Sequence, residues 1–131
     1  MSQSTGLVNL NIVRARNAVR SAKSATFGGV NGGEIAKKIP PLIMNNGLIA
    51  VLSFACEKGE KTGYANVFEE VIKHFKDENV RILPPDSKIS KIEDLLAYIL
   101  EHDTVTLRLM TIETMRWLEY FRRFAKKGEI Q

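Results

Sequence analysis

"IPPLIMNNGLIAVLSF", residues 39–54, places Asn46-Gly47 between two apolar runs. Such a pair between hydrophobic stretches is the strongest short-range sign of a β-hairpin. A half-buried strand would alternate polar and apolar residues, yet Leu48 to Leu52 run without a polar side chain until Ser53, so the strand period fails. Read as a helix, Leu48, Val51, Leu52 and Ala55 form one stripe with Ile49 and Phe54 beside it, apolar enough all round to be central. Pro40 and Pro41 suit the first turn of a helix, or a kink if helix precedes them. Asn46-Gly47 is then a joint between helical stretches or a bend within one.

The flanking segments carry the same period. Val8, Ile12, Ala15, Val19 and Ala22 recur at helical spacing and predict a first helix over 7–24. "ATFGGVNGG", 25–33, reads as a glycine-rich loop; its spacing fits neither the dinucleotide nor the Walker phosphate-binding pattern. "ACEKGEKTGY" reads as a charged turn closed by Gly59 and Gly63. Tyr64, Phe68, Val71, Ile72 and Phe75 predict a helix over 64–77. "RILPPDSK" should be extended or turning, because the residue before each proline avoids the helical region. Ser90 and Glu93 have capping-box spacing ahead of a stripe of Ile92, Leu95, Leu96, Ile99 and Leu100, and that helix should stop near Glu101.

The last long segment, "TVTLRLMTIETMRWLEYFRRFAKK", divides cleanly on a helical wheel. Leu107, Met110, Trp117, Leu118, Tyr120, Phe121, Phe124 and Ala125 share a core face. Arg108, Arg116, Arg122, Arg123, Lys126 and Lys127 take the other side with Glu119 among them; Ile112 and Met115 also project there. Together these segments predict an all-α chain, one compact domain over 1–131 built as a bundle of about five to six helices.

Composition agrees with a globular protein: 131 residues, 44% hydrophobic and 26% charged, enough to bury one core. No apolar run reaches the ~20 residues of a membrane span, and the N-terminus lacks the pattern of a secretory signal. A cytoplasmic protein without a membrane partner is expected. The single cysteine, Cys56, lies in an apolar segment and reads as a small buried hydrophobe.

The net charge of +4 is unevenly spread. Residues 1–24 hold Arg14, Arg16, Arg20 and Lys23 and no acid; residues 57–103 hold more acids than bases; the last helical segment is basic again. Basic ends and an acidic middle suit head-to-tail association of copies, and a basic face suits nucleic-acid phosphates.

Chemistry-bearing constellations are missing from the sequence. His74 and His102 are the only histidines and stand apart from Cys56, so neither a metal site nor any cofactor is expected. His102-Asp103 has the dipeptide of a metal-dependent phosphohydrolase class without the further histidines that class needs. With no paired carboxylates and no nucleophile with its base, an enzyme is not expected.

Two segments carry a resemblance. "KKIPPLIMNNGLIAVLSFACEKG", 37–59, and "LRLMTIETMRWLEYFRRFAKKG", 107–128, resemble the small subunit of the type III-B CRISPR RNA-guided interference complex, the Cmr complex. Pro41 doubles the family's usual single proline, and the glycine-rich 25–33 loop matches none of the motifs that carry the resemblance. The resemblance implies a non-catalytic helical bundle in antiviral defence, stacked in several copies beside the other subunits and helping to hold target RNA on its guide. Its partners would be those subunits, copies of itself and the guide/target RNA. Phosphate contacts are expected at Arg16, Arg20 and Lys23 of the first helix and at Arg116, Arg122, Arg123 and Lys127 of the last. The other reading is a small helical DNA-binding regulator, for which the last helix supplies arginines but no base-reading asparagine or glutamine.

Overall fold

The computed structural model describes residues 9–24, 32–59 and 62–125. Among them are six helices and no strand: α1 (Leu10–Ser24), α2 (Gly32–Asn46), α3 (Leu48–Lys58), α4 (Tyr64–Phe75), α5 (Ile92–Leu100) and α6 (Thr104–Phe124).

The Asn46-Gly47 joint is a break. Gly47 alone separates α2 from α3, with φ 87° and ψ 160°, a backbone region that side chains penalise even where space is free. Its N–H still closes the end of α2 on Ile43 O at 2.7 Å, and its carbonyl accepts from Val51 N at 3.3 Å. One glycine therefore ends one helix and starts the next. Asn46 adds a bond from its side-chain amide to Leu42 O at 3.1 Å. Pro40 and Pro41 lie inside α2, the second of the two placements open to them, so the amides that would have bonded the Ala36 and Lys37 carbonyls are missing. The expected stripe of α3 is its buried set, Leu48, Val51, Leu52 and Ala55.

These residues belong to one cluster to which every helix contributes, with Trp117, Phe68, Phe75 and Phe121 as its largest fully buried side chains. Trp117 and Phe121 stack with ring centroids 4.6 Å apart. The turn segment between α4 and α5 is pinned by fully buried Leu83, whose N–H bonds Phe75 O at 3.0 Å. Lys76 holds it further through the carbonyls of Ser87 and Ile89, at 3.3 and 2.5 Å. α6 packs on α1 and α2, and α1 also meets α4.

Several local expectations change. α2 begins at Gly32, so the last two residues of the glycine-rich stretch are helical; 25–31 lie outside the described residues. α3 runs through "ACEK" to Lys58, and Gly59 closes it at φ 75°. α4 stops at Phe75, two residues early. The N-cap of α5 is Lys91, which leaves Ser90 outside the cap and its hydroxyl unused for that purpose; Glu93 and Asp94 in the first turn favour the helix dipole instead. Leu100 and Phe124 were expected in the core but are 64% and 41% exposed, because each sits at a helix end where no further element covers it.

The largest correction concerns α1. Ile12 of the expected apolar stripe is mostly exposed, Ala15 and Val19 are half-buried, and only Ala22 is buried; Val8 lies outside the described residues. The face turned inward carries Arg14, Asn17, Ala18 and Ser21. The physical reason is a polar network on the partner helices, described next.

Candidate nucleic-acid interface

Helix α6 brings one carboxylate, Glu113, into its core face, where the residue is only 7% exposed. A buried charge must be paired or it is expelled. Arg14 of α1 supplies the pair as a two-pronged clamp, its Nε donating to Oε2 at 2.7 Å and its Nη2 donating to Oε1 at 2.8 Å. His74 of α4 supplies a third donor, Nε2 to Oε2 at 2.8 Å. The other ring nitrogen, Nδ1, faces the amide nitrogen of Asn17 at 2.9 Å, and that same amide donates to Asp77 at 3.1 Å. An amide donates to both, so Nδ1 accepts and the ring proton sits on Nε2. Burial pushes the Glu113 carboxyl up, but hydrogen bonds from Arg14 and His74 and the charge of Arg14 outweigh it and hold it at about 2. Arg14 is raised in turn, chiefly by its bond to Glu113. The network ties α1, α4 and α6 together at a single point.

The outer surfaces of the same helices are basic. Arg16, Arg20 and Lys23 are exposed on α1, and Arg108, Arg116, Arg122 and Arg123 are exposed on α6. Six of the seven residues singled out from the sequence therefore stand at the surface of two helices that pack on each other; Lys127 lies outside the described residues. They are not all alike. Arg123 spends its Nε on the carbonyl of Glu119 at 3.0 Å. Arg20 lines a cleft of about 270 Å³ between α1 and α4 together with Lys73, Lys76, Glu70 and Asp77. Arg16 and Lys23 project on the side of α1 directly opposite Arg14.

Sequence reasoning missed Glu113, His74, Arg14 and Asn17. The signal was present: Glu113 falls about 60° from Met110 on the same wheel, inside the face read as core. An acid there demands a buried partner. Among the described residues no three His, Cys, Asp or Glu side chains gather into a metal-binding group, and no helix is long and apolar enough to cross a membrane.

The described residues form a six-helix all-α unit whose helices α1 and α6 carry basic outer faces. The family model described as CRISPR-associated protein (Cas_Cmr5) matches residues 12–127. The chain belongs to that family, the small subunit of the type III-B CRISPR complex, and so partners with other subunits of that complex. Neither the curated proteins nor the solved structures gave a significant match.

Proposed function

We propose that the chain is a non-catalytic subunit that stacks in several copies within a cytoplasmic type III-B effector and helps to hold target RNA on its guide through the outer faces of α1 and α6. The observation that carries the reading is the placement of basic rows on two mutually packed helices, exposed over Arg16 to Lys23 and Arg108 to Arg123. Arginine and lysine on a helical surface contact phosphates without regard to sequence, which is what an A-form hybrid of arbitrary sequence requires. The acidic content of the middle of the chain, including exposed Glu93, Asp94 and Glu101 around α5, offers a complementary surface for a neighbouring copy. A non-catalytic role is supported by His74, whose two ring nitrogens are both engaged by protein groups and are not available to a substrate.

Charge reversal at Arg122 and Arg123 tests the reading. The reconstituted complex carrying Arg122→Glu and Arg123→Glu should bind target RNA more weakly, with the deficit largest at low salt. Unchanged affinity at low salt would remove α6 from the interface.

A further inference from the structure

Two opposing faces compete on α1. Its expected apolar stripe, Ile12, Ala15, Val19 and Ala22, centres about 120° away from Arg14 on a wheel of 100° per residue, whereas the face that is actually inward centres near Arg14 itself. By hydrophobic patterning alone the helix would be turned by about a third of a revolution from where it sits. What the inward face contributes in apolar terms is small: Ala18, Ala22 and, at its edge, Val13. What it contributes in polar terms is the clamp on Glu113 and the bridge of Asn17 between His74 and Asp77.

We infer that Glu113 is a positioning residue: through Arg14, it fixes the rotation of α1 about its own axis and thereby decides which side chains α1 presents outward. The residues diametrically opposite Arg14 are Arg16, Lys23 and Ile12, and Ile12 is 57% exposed because the helix is held in this rotation. Turned to its apolar register, α1 would bury Ile12 and Val19 and carry Lys23 toward the core side. The bidentate geometry matters here, since two parallel bonds to a planar guanidinium fix an orientation that a single point charge would not. His74 secures the carboxylate from behind, so the clamp is anchored on α4 as well as on α6. The significance for RNA rests on the function proposed above, while the register itself does not.

Thiol labelling separates the possibilities. In the full chain with Cys56→Ala, a probe cysteine at Ile12→Cys should react readily with a soluble maleimide. Adding Glu113→Gln should slow that reaction severalfold, because α1 turns its apolar side inward. Should Glu113→Gln unfold the chain, Arg14→Lys keeps a charge for Glu113 but loses the two-pronged geometry without adding apolar surface to the inward face, and slowing in the same direction is expected. Labelling as fast as in the parent, whether α1 keeps its rotation or merely detaches, overturns the positioning role. The same variants in the reconstituted complex should flatten the salt dependence of RNA binding. Slowed labelling with an unaltered salt dependence would leave the positioning role standing and would instead remove α1 from the RNA interface.

Discussion

Replacing Glu113 by glutamine takes away the charge that Arg14 clamps while leaving a carbonyl oxygen for the ring proton of His74. The magnitude follows from the carboxyl's own titration. With an ordinary value of 4.5 and a folded value of about 2, keeping the group ionised in the native state contributes roughly 3 kcal/mol at neutral pH. That agrees with the lower end of the 3–5 kcal/mol lost on breaking a buried pair, as expected for an arginine that keeps some access to water. For a chain of this length the loss corresponds to a fall in Tm of roughly 10 °C. The sign is fixed by the direction of the shift. A carboxyl lowered on folding stabilises fully above its unfolded value and loses that contribution as pH falls from about 4.5 toward about 2. Urea unfolding of the parent and Glu113→Gln at pH 7 and pH 3 therefore gives two gaps, and the second should be smaller by roughly 2 kcal/mol. Other carboxylates titrate in both proteins and cancel in the difference. A gap of the same size at both pH values would refute the assignment of Glu113 as a charged, clamped group.

Two further predictions concern stability at single positions. Gly47→Ala should cost on the order of 1–3 kcal/mol in chemical denaturation, entirely through backbone conformation, since a Cβ there meets nothing within 4 Å; a neutral result would mean that the joint relaxes freely. Thr114→Val should be neutral or stabilising by about 0.5–1 kcal/mol, because the Thr114 hydroxyl is buried without a hydrogen-bond partner; a clear loss of stability in the same assay would show that the hydroxyl is engaged.

Legibility in the sequence followed the hydrophobic pattern where that pattern was the driving force. The stripe of α3 could be read because its segment is apolar nearly all round, and the joint at Gly47 could be read because flanking runs failed the strand period. The core face of α6 emerged for the same reason, through Met110, Trp117, Leu118 and Phe121. On α1 the pattern misled. Its inward face is held by Arg14 and Asn17, and their partners Glu113, His74 and Asp77 lie far along the chain, so no local period could show them. Helix ends were also hard to place. Leu100 and Phe124 fit their stripes, but exposure at a terminus depends on whether another element arrives to cover it. As for the basic surface, charge runs revealed which residues stand outward but not that α1 and α6 would lie side by side.

In the function proposed, the outer faces of α1 and α6 both contact RNA, and the salt dependence of target-RNA binding by the reconstituted complex tests that most directly. Three complexes are compared: the parent, one with Arg16→Glu and Lys23→Glu on α1, and one with Arg122→Glu and Arg123→Glu on α6. Each pair should weaken binding and flatten the plot of log affinity against log salt, by about 0.7–0.9 for every phosphate that the variant no longer neutralises. Three superimposable lines would contradict RNA contact through these two faces.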